Sequence, residues 1–384
     1  MSDTLREVGP DDQEQARALG LLAFGGDPAA PPRSTPPGAR LGAFDRRGRL
    51  VGSARVAPYE QWWGGRPVPM GGVAGVAVHP DARGRGLASR LVGGLDELMR
   101  AQGQHVSALF PTALGLYRRL GWELVGSLDE TRLDPASLDP LSLEVAAPAE
   151  VTVRAAELAD VPALAGLYND LGAASNGLLV RRGPCFPRGA EALLGSSVAA
   201  LAVDQDGTAV GYATYDRGRG YGPHAELKVW ELVAATGPAT AALLRSLASW
   251  RSVVGTVQWR GPTGELGLHL AGAVPPPHER EPWMLRLVDP VQAVAGRGFP
   301  DGLSLQVGVE VAGVGWNLSV QDGRGALEPT ARRGLPALHP RGLVLLYAGA
   351  LDSGGLVRAG LLDRPERHLD AAFAGPLPQI LDGF

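Results

Sequence analysis

Cysteine and lysine are nearly absent, since the 384 residues include one cysteine, Cys185, and one lysine, Lys228. A single cysteine cannot form a disulfide within the chain, which fits a reducing compartment. Cys185 lies in a Gly-Pro-Cys-Phe-Pro segment with no histidine nearby, so we expect it to have no catalytic role. Because almost all positive charge is arginine, one arginine alone is weak evidence for a binding site.

The chain also lacks the features of nucleic-acid-binding, membrane-spanning and secreted proteins. Its net charge is −4, whereas nucleic-acid-binding domains are usually strongly basic. No apolar run approaches the roughly 18 residues of a membrane span, and residues 1–7 contain no hydrophobic signal core. The seven histidines show no metal-binding spacing such as His-Glu-x-x-His. We therefore expect a cytoplasmic protein with no nucleic-acid partner, no membrane span and no metal.

The composition is that of a globular protein, with 45% hydrophobic and 20% charged residues. Disordered and collagen-like classes are thereby excluded. A chain of 384 residues exceeds one typical hydrophobic core, so two or three domains are expected.

Residues 73–91 carry the most informative pattern, a strand followed by a glycine-rich turn and a helix. β-Branched valines predict the strand, which must end near His79 because Pro80 has no N–H to donate to a sheet. Apolar residues then recur at spacings of three and four, which predicts a helix with one face on a sheet. These residues are Leu87, Leu91, Leu95 and Leu98.

The turn before this helix suits phosphate oxygens, because a helix start has unpaired N–H groups and the positive end of the helix dipole. Gly84 and Gly86 remove the Cβ atoms that would keep a pyrophosphate from the amides, and Arg83 and Arg85 add positive charge. A Walker loop is excluded because no Gly-Lys-Ser/Thr ends the turn. A dinucleotide fingerprint is excluded because Ser89 stands where its third glycine belongs. An ordinary turn on a basic surface is the alternative.

This Arg-Gly-x-Gly-Leu-Ala motif after a Val-x-Val-x-Pro strand resembles the GNAT N-acetyltransferases. The resemblance implies that the loop amides hold the pyrophosphate of acetyl-CoA, while the strand backbone pairs with its pantetheine arm. Two further residues just past the next predicted strand, 106–110, would lie near the pantetheine and acyl end. The implied cofactor-binding residues are Val76, Ala77, Val78, Arg83, Gly84, Arg85, Gly86, Leu87, Ala88, Ser89, Thr112 and Ala113.

A second motif lies in residues 114–122, where a short helix is predicted to end at Gly121. Its pattern of an apolar residue, a tyrosine, three residues, a glycine and an aromatic also resembles the family. The resemblance places the tyrosine, here Tyr117, near the acetyl sulfur. A packing aromatic is the alternative for Tyr117.

The order of predicted elements in residues 1–150 begins again at residue 151, after a predicted connector with short strands over 128–150. A strand, a helix, a hairpin, a strand and a helix follow one another in both segments. The position equivalent to Arg83–Gly86 contains Gly237 and Pro238 and has no arginine. Proline has no backbone N–H, so this turn also has one hydrogen-bond donor fewer. We therefore expect a degenerate GNAT-like domain without a cofactor over residues 151–283. An unrelated α+β domain is the alternative.

Residues 284–384 read as strands followed by helices, which favours a third α+β domain. It resembles a sterol-carrier-type domain, and a scaffold without a lipid pocket is the alternative. The predicted fold class is therefore α+β, with two tandem GNAT-type domains, the second degenerate, before a sterol-carrier-protein-like domain.

Three domains in this order, with Tyr117, resemble the Eis-like acetyltransferases, a GNAT branch that acts on aminoglycosides and other polyamines. The resemblance implies a homo-oligomer, specifically a hexamer, and a terminal carboxylate that returns to the pocket as the base. The terminal residue here is Phe384. The resemblance also leads us to expect an acidic residue beside it, but this chain has Gly383 there, with Asp382 one place earlier.

We therefore expect acetyl transfer from acetyl-CoA to an amine of an aminoglycoside, a polyamine or a lysine side chain. The Phe384 carboxylate accepts the ammonium proton, Tyr117 protonates the leaving sulfur, and an amide of residues 76–78 polarises the thioester carbonyl. A non-catalytic lipid- or ligand-binding protein on a vestigial acetyltransferase fold is the alternative. Four further residues have two equal interpretations. They could line an aromatic, acidic pocket for the amine, or they could simply pack beneath a loop. These residues are Phe24, Asp27, Trp62 and Trp63.

Overall fold

The computed structural model describes residues 3–30, 37–141 and 150–384, which form two β-sheets with helices packed on them. The larger sheet contains β1 (Thr4–Glu7), β2 (Ala39–Phe44), β3 (Leu50–Trp63), β4 (Arg66–Val78), β5 (Val106–Leu109), β6 (Glu123–Leu133), β7 (Thr152–Ala155), β8 (Val198–Val203), β9 (Ala209–Arg217), β10 (Gly222–Ala234), β11 (Val254–Arg260) and β12 (Glu279–Leu287). The smaller sheet contains β13 (Leu305–Val311), β14 (Val314–Gln321), β15 (Arg324–Pro329) and β16 (Ala337–Leu338). The helices are α1 (Gln13–Phe24), α2 (Leu87–Ala101), α3 (Leu114–Arg119), α4 (Val161–Ala173), α5 (Ala192–Ser196), α6 (Gly237–Ala248), α7 (Gly264–His269), α8 (Pro290–Gly296), α9 (Pro340–Ala348), α10 (Ser353–Arg358) and α11 (Arg367–Ala372).

The larger sheet has the order β1-β2-β3-β4-β5-β12-β6-β11-β10-β9-β8-β7, and its two halves follow the same plan. In each half four strands pair antiparallel and the last of them pairs in parallel with a fifth, β4 with β5 and β10 with β11. A helix joins each parallel pair, α2 in the first half and α6 in the second. This order confirms the tandem repeat that the sequence predicts.

The two halves exchange strands at the centre of the sheet. β12 lies between β5 and β6, and β6 in turn pairs with β11 of the other half. Trp283, Met284 and Leu285 of β12 are fully buried there, so their burial stabilises the junction between the halves. The boundary that the sequence predicts between residues 283 and 284 therefore falls within one strand of this sheet.

The sequence predicts a connector with short strands over residues 128–150, and the first part of this segment is strand. Residues up to Leu133 extend β6, because β12 and β11 supply backbone hydrogen-bond partners along its two edges. Sequence periodicity cannot reveal partners that lie so far away in the chain. Residues 142–149 of the connector lie outside the described part of the protein.

The smaller sheet, of order β15-β14-β13-β16, shares a hydrophobic core with the first half of the larger one. At this junction the fully buried ring of Trp63 lies 5.3 Å from Tyr347 and 6.4 Å from Trp283. Packing, rather than an amine pocket, is thus the role of Trp63. Because the C-terminal part rests on the larger sheet, the last residues of the chain can return to its strands.

Candidate active site

β4 and β5 pair in parallel where Met70–Gly72 lie beside Val106–Ala108, and then they separate. β4 continues to Val78 with β3 on its other side, while β5 ends at Leu109. Among the described residues, positions 73–78 of β4 thus have no strand partner on the β5 side. We refer to the opening between these positions and Phe110 as the first fork.

A β-bulge lies in the β4 arm of the first fork. Ser53 pairs with Ala77 and Arg55 pairs with Ala74, so Gly75 and Val76 together oppose a single residue of β3. Gly75 has φ of 59°, a conformation that favours glycine. The bulge turns backbone groups out of the ladder at the predicted pantetheine-binding positions, which begin at Val76.

The loop after β4 has the geometry of an anion site. Gly84 and Gly86 have φ of 77° and 73°, and no atom lies within 4 Å of where their Cβ atoms would stand. α2 begins at Leu87 with no side-chain cap and no acidic residue in its first turn, so the amides of Leu87, Ala88 and Ser89 are not occupied by a cap. These features fit a diphosphate, which needs N–H donors, positive charge and close backbone approach.

The two loop arginines are exposed and stabilise the loop itself. Arg83 Nε donates to the carbonyl of Val78 at 3.3 Å, and Arg85 Nη2 donates to the carbonyl of Asp81 at 2.6 Å. Their positive charge therefore stays close to the start of α2.

The second half lacks this arrangement, as the sequence predicts. α6 begins with Gly237 and Pro238, and the hydroxyl of Thr236 accepts a hydrogen bond from the Ala239 amide at 3.3 Å. A helix start that is capped by a side chain and contains proline offers fewer donors to a phosphate.

Tyr117 lies in α3 and is only 4% exposed. Its ring packs edge-on against Trp122, with centroids 6.3 Å apart. Burial raises the pKa of the phenol, which therefore keeps its proton near neutral pH. Thr112 and Ala113 are exposed and lie between the end of β5 and the start of α3.

Phe384, the last residue, lies at the first fork. Its ring centroid is 5.4 Å from that of Phe110 and 5.4 Å from that of Tyr59. A Cβ atom at Gly72 would stand 2.9 Å from Phe384 Cδ2, so this close approach requires glycine. Tyr117 belongs to the core beneath α2, whereas Phe384 packs against the core on the other face of the sheet. The two predicted catalytic residues thus flank the fork from opposite faces.

The acidic residues considered for amine binding are engaged elsewhere. Asp382 accepts a hydrogen bond from Arg181 Nε at 3.2 Å, and it lies 3.1 Å from the Tyr168 hydroxyl, whose proton it shares with the Leu179 carbonyl. Asp27 lies in an exposed loop and accepts from the Ala29 amide at 2.8 Å. Phe24 is 57% exposed at the end of α1.

Two residues at the C-terminal tail could not be assigned from the sequence motifs: Arg181, which binds Asp382, and Glu231, which binds Arg181. Arg181 binds the Glu231 carboxylate through two hydrogen bonds of 2.9 and 2.6 Å. One signal was available for Glu231, because it occupies an inward position of β10 between the buried Val229 and Val233. A charged residue in a buried row indicates a specific partner.

One group of possible metal ligands is present among the residues that the structure describes. Side-chain atoms of Glu130, His278 and Glu279 lie within 4.8 Å of one another, with the last two exposed. Lys228 Nζ donates to Glu130 at 2.8 Å, and this ammonium would repel a cation.

Models of the acetyltransferase (GNAT) domain match residues 4–125 and residues 177–287. The chain is also similar to a GCN5-related N-acetyltransferase from Kribbella flavida, with 32% identity over 100% of this chain and 99% of that one and a TM-score of 0.82. The chain belongs to the GCN5-related N-acetyltransferases. Members of this family are enzymes that use acetyl-CoA. No curated protein matches the chain.

Two other solved structures share the fold of this N-acetyltransferase over its whole length. A GCN5-related N-acetyltransferase from Anabaena variabilis has 23% identity and a TM-score of 0.84, covering 99% of this chain and 100% of that one. Eis1 from Mycobacterium abscessus has 24% identity and a TM-score of 0.75 with the same coverage. The fold is thus Eis-like. None of the helices in the described segments is both long and apolar enough to cross a membrane.

Proposed function

We propose that this N-acetyltransferase acetylates an amine of an aminoglycoside, a polyamine or a lysine side chain, with Tyr117 as general acid and the terminal carboxylate of Phe384 as general base. The observation that carries the proposal is the position of Phe384 at the first fork, in contact with Phe110 and Gly72. A terminal carboxylate in such a position can receive a proton from a bound ammonium group.

The first fork and the loop after β4 supply the proposed acetyl-CoA site. The uncapped amides of Leu87, Ala88 and Ser89, with Gly84 and Gly86, suit the diphosphate, and Arg83 and Arg85 add charge. The unpaired edge of Val76, Ala77 and Val78 suits the amide-bearing pantetheine arm, which Thr112 and Ala113 flank. Acetyl-CoA supplies the acetyl group as a thioester, and the amine nitrogen forms the new bond as the carbon–sulfur bond breaks.

The proton transfers follow from the surroundings of the two groups. A primary ammonium must lose a proton before its nitrogen can attack, and a carboxylate is a stronger base in apolar surroundings than in water. The rings of Tyr59 and Phe110 provide such surroundings for Phe384. Tyr117 keeps its proton because burial raises its pKa, so it can donate to the leaving sulfur.

Four broader features remain proposals. We propose a homohexamer, by resemblance to the Eis-like enzymes, and light scattering would test it. We propose a sterol-carrier-like C-terminal domain, supported by a four-stranded sheet with helices after it. We propose domain divisions near residues 150 and 283, across which β6 pairs with β11 of the second half and β12 pairs with β5 of the first. We propose a cytoplasmic location, supported by the presence of one cysteine.

The test is release of free thiol from acetyl-CoA with a panel containing an aminoglycoside, spermidine and a lysine peptide. We expect release to depend on at least one amine, and mass spectrometry to find one added acetyl group on it. A variant carrying Arg83→Gln and Arg85→Gln should need more acetyl-CoA for the same rate. Absence of amine-dependent release with the whole panel would contradict the proposed substrate class.

A further inference from the structure

The second half of the sheet has a fork of its own. β10 and β11 pair in parallel where Leu227–Val229 lie beside Val257–Trp259, and β10 then continues alone on that side to Ala234 in the described structure. We refer to the opening between positions 230–234 of β10 and Arg260, the end of β11, as the second fork. It corresponds to the first fork, where β4 outruns β5.

The C-terminal tail, residues 374–384, contacts the second fork before it reaches the first. Arg260 Nη1 donates to the carbonyl of Leu381 at 2.6 Å. A Cβ atom at the adjacent Gly261 would stand 2.9 Å from Leu381 Cδ2, so glycine provides the room for this side chain. Leu381 is buried. The chain itself thus packs at the second fork.

An ionic cluster fixes the next residue of the tail. Arg181 lies between two carboxylates, with Nη2 2.6 Å from Glu231 Oε2 and 3.1 Å from Asp382 Oδ1. The Tyr212 hydroxyl donates to Glu231 at 2.9 Å. The single proton of the Tyr168 hydroxyl is shared between the Leu179 carbonyl at 2.9 Å and Asp382 at 3.1 Å. We refer to Arg181, Glu231, Tyr168 and Tyr212 as the tail anchor.

The tail anchor is largely shielded from water. The side chains of Arg181, Glu231 and Asp382 are 12%, 4% and 17% exposed. Burial alone would lower the pKa of Arg181, but the two carboxylates outweigh burial and raise it above its ordinary value. A buried charge network with satisfied hydrogen bonds holds a defined geometry, because a displaced member leaves an uncompensated charge behind.

Fixing Asp382 also fixes the end of the chain. Only Gly383 separates it from Phe384, and two residues span at most about 7 Å. Gly383 is exposed and no atom lies within 4 Å of its Cβ position, so packing at this residue adds little. The terminal carboxylate therefore depends on the tail anchor on one side and on the Phe384 ring on the other.

We propose that Arg181 is a positioning residue that, through Asp382, holds the terminal carboxylate at the first fork. The inference rests on the proposed function, in which this carboxylate is the base. The second half, whose own helix start is capped, thus serves the chemistry of the first half.

The experiment compares the Asp382→Ala, Arg181→Gln and Arg181→Lys variants with the parent enzyme. Asp382→Ala is the principal variant, because it removes the link between the tail and Arg181 while Arg181 keeps Glu231 as its buried partner. Arg154→Gln is the matched control, since Arg154 also binds a carboxylate through two hydrogen bonds, to Asp160 at 2.7 Å each, in the same half. Each protein is digested with a carboxypeptidase, and release of phenylalanine is followed beside steady-state turnover.

In Asp382→Ala and Arg181→Gln we expect phenylalanine release to speed up by about tenfold or more, because the tail opens more often. We expect turnover to fall roughly 100-fold, as for a misplaced catalytic group, with the KM for acetyl-CoA unchanged. Arg181→Lys should have a phenylalanine release rate and a turnover between those of Arg181→Gln and the parent. Arg154→Gln should match the parent in release rate and in turnover.

The failures of the two proposals are distinguishable. Release at the parental rate in Asp382→Ala would overturn the tail anchor, whatever the turnover. Faster release with parental turnover would support the anchor and overturn the terminal carboxylate as the base. If circular dichroism shows that Arg181→Gln is unfolded, the release rate and turnover of Asp382→Ala alone test the two proposals.

Discussion

The rings of Phe384 and Phe110 lie 5.4 Å apart, so the last residue of the chain contacts the first residue after β5. β4 and β5 have just separated at this point, since their last paired residues are Gly72 and Ala108. The contact places the terminal residue at the first fork, the opening that we propose as the acetyl-CoA site. In the proposed mechanism, the terminal carboxylate of Phe384 takes the part of a side-chain base.

Extending the chain beyond Phe384 should abolish activity while the fold persists. A Gly-Ser-Gly addition replaces the terminal carboxylate with a neutral amide, which cannot accept an ammonium proton, so turnover should fall by roughly 100-fold or more. Deleting Phe384 should also fail, because a terminus at Gly383 stops short of Phe110. The same addition at the amino terminus is the control. Thiol release measures turnover, and unchanged turnover in the extended protein would mean that the base lies elsewhere.

Replacing Tyr117 with phenylalanine should lower kcat and leave acetyl-CoA binding intact. The phenol acts only as the thiolate leaves, so we expect a loss of roughly 100-fold in kcat. Tyr215→Phe is the matched control, because Tyr215 is also buried and packs edge-on against Trp250 at 6.1 Å. Thiol release and calorimetry supply the two readouts, and equal kcat in Tyr117→Phe and parent would remove Tyr117 from the mechanism.

The pH dependence of kcat should reflect the burial of Tyr117. Burial raises its pKa above the ordinary value near 10, and a proton donor must be protonated, so kcat should decline only when the pH rises above about 10. The folded protein holds this proton more tightly than the unfolded chain does, so stability also declines in that range. Melting curves at each pH separate the two effects. A basic limb centred well below pH 10 that disappears in Tyr117→Phe would contradict this prediction.

Acetyl-CoA should bind once per chain. The first half has an uncapped helix start and an open fork, whereas in the second half Thr236 caps α6 and Leu381 packs beside Arg260. Isothermal titration calorimetry should therefore give a stoichiometry of one. The double variant Arg83→Gln, Arg85→Gln should bind acetyl-CoA at this single site with lower affinity. Two equivalent binding events would show that the second fork accepts the co-substrate.

Local features of the site were predictable from the sequence. The strand, glycine turn and helix of residues 73–91 occur as expected, because valine, proline and glycine restrict the backbone at their own positions. The degenerate start of α6 was equally visible, since Pro238 removes an amide wherever it lies. These properties depend on neighbouring residues and need no tertiary partner.

Long-range pairing was not predictable by the same reasoning. Arg181 and Asp382 are 201 positions apart, and neither stands in a motif that names the other. The predicted boundary after residue 283 divides β12 between two domains, and only the hydrogen bonds of this strand with β5 and β6 show which sheet it enters.

The sequence by itself determined the strand, glycine turn and helix start of residues 73–91 and the proline at the start of α6, because these residues restrict their own backbone. Only the tertiary structure shows which side chains Phe384 packs against, because a free terminus carries no periodicity or spacing that indicates its neighbours. It decided as well that Asp382 is engaged by Arg181 rather than open to an amine. Such buried charge pairs form wherever folding brings opposite charges together away from water, and the chain order of the residues does not specify that encounter.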